Sequence, residues 1–171
     1  MPTHVNGWPV VAPDLSAVIY GNRRALAAMA EALDKPQESR RWAGAAEDLR
    51  LATFEACYSA EDEFFYDRDT FGALRKIKEM QLMPMVSEGM LSPRQFQRIW
   101  DRYLGNPAHY GLPFQWPSIA ASDPHYAPKG NAWTGATFLN WTVRAVQWMP
   151  GYLGTEYFHS FMKAEHPVHH L

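Results

Sequence analysis

The chain has 171 residues, of which 47% are hydrophobic and 14% aromatic, and its formal net charge is −2. This composition excludes a disordered chain and a basic nucleic-acid-binding protein, and the length predicts one domain over residues 1–171. The single cysteine, Cys57, excludes an internal disulfide framework and a multi-cysteine zinc site, and we expect a small buried side chain there.

No signal for a membrane, a metal or a cofactor stands out in the sequence. It contains no run of about 18 apolar residues, and its N-terminus lacks the basic and apolar regions of a secretion signal. The default expectation is therefore a cytoplasmic protein without nucleic-acid or membrane partners. Four of the seven histidines lie near the C-terminus, but Pro167 interrupts their spacing, so we predict no metal site. Phosphate-binding and nucleophile motifs are missing, so no cofactor is predicted either.

The first predicted elements are two helices, over about residues 14–33 and 36–58. Apolar residues recur at i, i+3, i+4 and i+7 from Leu15 onward, and Asp14 is placed to cap the first helix. Because the connecting turn is short, the helices must form an antiparallel hairpin. The residues expected to be buried in this hairpin are Leu26, Met29, Trp42 and Leu49.

The remaining predicted elements are mostly helical. The aromatic run at residues 64–67 is expected to be extended. Ser92 and Gln95 have the spacing of a capping box, which predicts a helix start there. Two later helices are predicted over residues 133–149 and 153–163.

Residues 110–136 form a long irregular segment that is rich in proline, glycine and aromatic rings. Long loops of this kind are more often binding or lid segments than spacers. Rings flanked by amides, hydroxyls and a carboxylate suit a ligand with apolar C–H faces and many hydroxyls, such as a sugar. The alternative is a loop whose rings cap the core beneath them. The residues expected to converge on one concave binding surface are Phe114, Gln115, Trp116, Asp123, Tyr126, Asn131 and Trp133.

Two carboxylates in or near the aromatic segments, Asp123 and Glu156, are the candidates for catalysis. Glycoside hydrolysis requires two carboxyl groups that flank the scissile bond. Each candidate has a structural alternative, because Asp123 precedes Pro124 and suits a turn, and Glu156 in a first helical turn complements the helix dipole. The catalytic pair therefore stays unassigned.

Four stretches of the chain resemble recurrent segments of the six-hairpin, (α/α)6-barrel glycosidases. This superfamily includes mannosyl-oligosaccharide glucosidase, mannosylglycerate hydrolase and trehalase. The matches keep the family's order and spacing over roughly residues 7–150. The matching stretches are residues 13–30, 64–67, 110–124 and 131–136.

This resemblance implies an all-α fold: a partial (α/α)6 toroid built of antiparallel helical hairpins, with a long aromatic loop. It implies roughly the C-terminal half of the barrel, and inverting acid/base hydrolysis of O-glycosidic bonds in gluco- or manno-saccharides as the reaction. The chain departs from the family at Thr134 and Ala136, where the relatives carry Arg and Pro. Gly7-Trp8 is followed by Pro9, whereas the relatives place their catalytic acid in a Gly-Trp-Asp-type motif.

Three functions from different classes follow from these observations. The chain is a glycosidase, a non-catalytic saccharide-binding or structural remnant of one, or a helical module that binds a protein. An incomplete toroid leaves helix faces uncovered, so we expect exposed apolar surface. We also expect self-association, or a partner that supplies the missing hairpins.

Overall fold

The computed structural model describes residues 9–80, 82–112, 116–129, 133–137, 147 and 151–152. Its larger elements are helices, as predicted. The helices are α1 (Pro13–Ala32), α2 (Pro36–Cys57), α3 (Leu82–Ser87) and α4 (Pro93–Ile99), the last continued by a π-helical turn over Trp100–Leu104.

Five very short strands complete the described structure without forming a sheet core. They make a three-stranded antiparallel sheet in the order β1-β4-β5 and a two-stranded ribbon of β2 and β3. The strands are β1 (Pro9–Val11), β2 (Tyr58–Ser59), β3 (Phe64–Phe65), β4 (Asp67–Asp69) and β5 (Leu74–Arg75). The extended aromatic run predicted from the sequence is therefore confirmed.

Helices α1 and α2 pack side by side as the predicted hairpin, but the face of α1 that they bury is not the predicted one. Small residues such as Ala17, Ala27 and Ala30 are buried, which lets the two backbones approach closely. Leu26 and Met29 are 41% and 60% exposed, so the prediction that they are buried is wrong. The apolar residues do recur at helical spacing along α1. Such a pattern identifies an apolar face of the helix, but it does not show whether another part of the chain packs on that face.

The α2 side of the hairpin and the helix start also differ in detail from the prediction. Trp42 and Leu49 are half-buried rather than buried, and Leu49 packs against the edge of the core. Ala12, not Asp14, is the N-cap of α1. The Asp14 carboxylate lies in the first turn instead, where it accepts a 2.7 Å hydrogen bond from the Leu15 amide and complements the helix dipole.

The core is built largely from aromatic rings. Phe64, fully buried, contacts Tyr103 edge-on at a centroid distance of 4.9 Å and stacks parallel to Tyr110 at 6.5 Å. Cys57 lies in the same core, as predicted, and burial raises the pKa of its thiol to about 11. The thiol therefore stays protonated at neutral pH and acts as a small hydrophobe. Among the described helices, none is both long and apolar enough to cross a bilayer.

The capping box predicted at the start of α4 is confirmed. The Ser92 hydroxyl accepts from the Gln95 amide at 3.3 Å, and the Gln95 side chain accepts from the Ser92 amide at 2.8 Å. We expect Ser92→Ala to lower the free energy of unfolding by about 1 kcal/mol, because it removes one acceptor from the first turn. Ser92→Thr keeps that acceptor and is the control. Urea unfolding measures both, and equal stability of Ser92→Ala and wild type would contradict the prediction.

Candidate functional site

The long aromatic segment is fastened to the core at its start by Tyr110. This ring is fully buried, and its hydroxyl donates to the carbonyl oxygens of Lys78 and Glu79. Burial raises the pKa of Tyr110 well above its ordinary value, so the hydroxyl remains a donor. The segment thus begins from a fixed point, not as a free loop.

The middle of the segment forms an extended connector between two other pieces of chain. On one side the Ser118 carbonyl accepts from Met80 N at 3.0 Å, and Ala120 N donates to the Lys78 carbonyl at 2.9 Å. On the other side Ser118 N donates to the Ala136 carbonyl at 2.9 Å. Isolated bridges extend both pairings, Glu79 with Ile119 and Pro117 with Thr137. Residues 133–137 are therefore a turn and a bridge, and the helix predicted to start at residue 133 does not begin there.

Trp116 lies in the core and not on a binding surface. Its side chain is 1% exposed, its Nε1 donates to the Leu104 carbonyl at 3.0 Å, and it meets the Trp100 ring edge-on. A ring with so little accessible surface has no face left for a ligand to stack on. For this residue the alternative prediction, a ring that caps the core, describes the structure.

Asp123 is a structural carboxylate that ties the loop together. Its two oxygens accept from the amides of Lys78 at 2.8 Å and His125 at 2.9 Å, and Oδ1 also contacts His125 Nδ1 at 2.8 Å. Burial by itself raises the pKa of Asp123, but these donors outweigh it and hold the pKa below its ordinary value. A general acid needs a raised pKa, so the site favours the turn-forming role over catalysis.

The stretch of the loop from Tyr126 to Trp133 is closed by a backbone hydrogen bond. The Ala127 amide donates to the Thr134 carbonyl at 2.6 Å, which closes the chain between the two aromatic residues. Gly135 has φ +155°, and a Cβ there would come within 3.0 Å of the Tyr126 ring, so glycine is required. Tyr126 is half-buried and Trp133 is 65% exposed. The Trp133 indole is therefore accessible to solvent, on a loop that a backbone hydrogen bond closes.

The structure thus separates the predicted site residues that it describes into two groups, exposed and buried. The remaining predicted residues are not among those it describes. Trp133 is exposed and Tyr126 is half-buried, whereas Trp116 and Asp123 are buried and structural. The other predicted residues lie outside the described residues: Phe114, Gln115, Asn131 and Glu156. The helix predicted over residues 153–163 also lies there.

Two histidine contacts in the loop were not predicted. His125 lies two residues after Asp123, and an aspartate side chain commonly accepts a hydrogen bond from the backbone N–H two residues further on. The contact between Asp123 and His125 could therefore have been predicted from the sequence. His109 Nδ1 lies 2.5 Å from the Ser122 hydroxyl, and the two residues are 13 positions apart in the sequence. No local sequence pattern predicts this contact. Burial, together with the charges of Lys78 and Arg102, lowers the pKa of His109.

The hairpin and the fastened loop define a largely helical fold, and comparison with known proteins identifies its family. Residues 4–160 match the family model described as the mannosylglycerate hydrolase MGH1-like glycoside hydrolase domain. The chain therefore belongs to this family, within the six-hairpin glycosidase superfamily that the sequence motifs indicated.

Solved structures agree on the fold. A structure described as a sialidase superposes with a TM-score of 0.77 at 14% identity, over 90% of this chain and 15% of its own. The mannosylglycerate hydrolase of Thermus thermophilus, in complex with glucose, superposes with a TM-score of 0.72 at 20% identity, over 91% of this chain and 38% of the hydrolase. At these identities the likeness establishes the fold alone, which is a partial helical toroid.

An uncharacterized protein of Borreliella burgdorferi is a relative in sequence. It is 26% identical over 133 residues, which cover 76% of this chain and 28% of that protein. The chain thus spans well under half the length of the relatives that it matches.

Proposed function

We propose that the chain is a saccharide-binding part of a glycoside hydrolase fold, with Trp133 and Tyr126 as the platform for the sugar. The observation that carries the proposal is the exposure of the Trp133 ring on a turn held by three hydrogen bonds. These join Ala127 N to the Thr134 carbonyl, Ser118 N to the Ala136 carbonyl and Gly135 N to the Ser118 hydroxyl. Membership of the glycoside hydrolase family supports the ligand class. The glucose in the solved hydrolase complex supports gluco- and manno-saccharides as the first to test.

The reaction class that goes with this fold is inverting hydrolysis of an O-glycosidic bond, which we assign to the completed barrel. That mechanism places a carboxylic acid and a carboxylate about 6.5–9.5 Å apart, with room for a water between them. Of the two candidate carboxylates, Asp123 is occupied by backbone donors. We therefore expect this chain by itself to bind saccharide without measurable release of reducing sugar.

Trp133→Ala should weaken saccharide binding about tenfold or more, which corresponds to about 1.4 kcal/mol. The reason is the loss of the ring face, because the side chain contributes most of the exposed aromatic surface of the turn. Isothermal titration with glucosides and mannosides measures the affinity.

Phe71→Ala is the matched control for this variant. Phe71 is also a highly exposed aromatic residue, at 88%, but it lies on the β4–β5 turn. We expect its removal to leave the affinity unchanged. Equal losses in both variants, or no saccharide binding by the folded wild type, would contradict the proposal. Release of reducing sugar by the wild type would instead favour a complete catalytic site.

A further inference from the structure

A serine hydroxyl and a histidine imidazole lie in direct contact at the edge of the long loop. His109 Nδ1 is 2.5 Å from the Ser122 Oγ atom, and the contact joins the turn that contains His109 to the turn that contains Ser122. The Ser122 side chain is exposed to solvent, whereas His109 is half-buried. A hydroxyl that is open to solvent and within hydrogen-bond distance of an imidazole meets the first requirement for an activated serine nucleophile.

The second requirement is an oriented base, and the His109 ring is held by its surroundings. It meets the Tyr103 ring edge-on at a centroid distance of 5.0 Å. The His109 amide donates to the Asn106 carbonyl at 2.9 Å, and the His109 carbonyl accepts from Ala121 N at 2.8 Å. Because Ala121 precedes Ser122, the backbone bond that holds the histidine also places the serine beside it.

The ring that supports His109 belongs to the π-helical turn over Trp100–Leu104. Turns of this kind are rare and are frequently found at functional sites. Tyr103 in this turn is 3% exposed, and its hydroxyl donates to the Asp62 carbonyl, so the supporting ring is itself fixed. The same turn carries Arg102, one of two cations whose charge acts on the imidazole.

The environment of His109 favours the neutral imidazole that a base requires. Burial, together with the positive charges of Lys78 and Arg102, lowers the pKa of His109. The ring is therefore largely unprotonated at neutral pH, and its Nδ1 can accept the Ser122 proton. Positive charge at this point also favours the negative charge that develops on a carbonyl oxygen under attack.

We propose that Ser122 is a nucleophile activated by His109, and that the pair hydrolyses carboxylic esters. A serine with an imidazole base performs acyl transfer on unrelated folds, which gives the substrate class. The Ser122 oxygen forms a bond to the ester carbonyl carbon while its proton moves to His109 Nδ1. The bond from that carbon to the alcohol oxygen breaks, and the alcohol leaves with the proton. Water, deprotonated by His109, then attacks the acyl-serine, and the proton returns to Ser122 as the carboxylic acid is released.

The nucleophile is tested by labelling the folded wild type with a fluorophosphonate and identifying the modified peptide by mass spectrometry. The label should attach to the Ser122 oxygen, with fluoride as the leaving group. Ser92 is the internal control, because it is also exposed but its hydroxyl is hydrogen-bonded to the Gln95 side chain instead of an imidazole. Failure to label Ser122, or equal labelling of Ser92 and Ser122, would overturn the proposal.

The base is tested by the hydrolysis of p-nitrophenyl acetate, which is independent of the proposed saccharide binding. The rate should rise with pH through a pKa below about 6.5 and then level off, because only the neutral imidazole accepts the proton. Ser122→Ala and His109→Gln should each lower the rate about 100-fold.

His109→Gln separates the chemical role from a structural one. Glutamine can still form a hydrogen bond with Ser122, so the free energy of unfolding should stay close to that of the wild type while the base is lost. His125→Gln is the matched control and should leave the rate unchanged, since His125 Nδ1 contacts Asp123 at 2.8 Å and not a serine. A His109→Gln chain as active as the wild type, or equal losses in His109→Gln and His125→Gln, would contradict the proposal.

Discussion

Trp116→Ala should lower the free energy of unfolding by about 3–5 kcal/mol, the range for removing a buried aromatic side chain. The Trp116 ring is 1% exposed and packs edge-on against Trp100. Its removal leaves a cavity between the loop and the π-helical turn. It also deprives the Leu104 carbonyl of the indole donor that it now has at 3.0 Å. Chemical denaturation followed by circular dichroism measures the loss.

Trp133→Ala is the matched control for this experiment, since it removes the same side chain from an exposed position of the same loop. We expect it to change the free energy of unfolding by less than about 0.5 kcal/mol. The two variants should therefore differ in what they lose. Trp116→Ala should lose stability, and Trp133→Ala should lose saccharide affinity. A Trp116→Ala chain as stable as the wild type would show that this ring does not hold the loop to the core.

Asp123→Ala should cost roughly 3 kcal/mol of folding free energy, because it leaves two partly buried amide donors without their charged acceptor. Those donors are the backbone N–H groups of Lys78 and His125, at 2.8 and 2.9 Å. Asp123→Asn keeps one oxygen acceptor and should cost less than half as much. Both variants are measured by urea unfolding at neutral pH.

The same carboxylate makes stability depend on pH in the acid range. The folded chain holds the pKa of Asp123 below its ordinary value, so the unfolded chain binds the proton more tightly. The contribution is fully present above the unfolded pKa of about 3.9, and it is lost as the pH falls from there through the folded pKa. Asp123→Asn should therefore lose less stability than the wild type between neutral and acid pH. Identical acid sensitivity of the two chains would contradict this role.

Local patterns in the sequence were enough to predict the helical framework. The boundaries of α1 and α2 are reproduced within one residue, and the Ser92 capping box is confirmed. These features depend on residues a few positions apart, such as the Ser-x-x-Gln spacing or the short turn between two helices. Family motifs, kept in order over most of the chain, likewise pointed to the six-hairpin glycosidases before any coordinates.

The candidate site was predictable only as a segment, because burial depends on what the rest of the chain brings to each residue. Trp116 and Trp133 look equivalent in sequence, yet one fills the space beside Trp100 and the other faces solvent. Asp123 became a structural carboxylate because Lys78, 45 positions away, donates its amide to it. Such long-range contacts leave no local pattern.

By itself, then, the sequence determined the helical hairpin, the start of α4, the family and the existence of an apolar face on α1. Those properties follow from short-range periodicity, capping and motif order. Only the tertiary structure decided which face of α1 is covered, because small residues such as Ala27 let α2 pack closely on one side. The larger Leu26 and Met29 lie on another side of α1 and are exposed, because no described element packs over them.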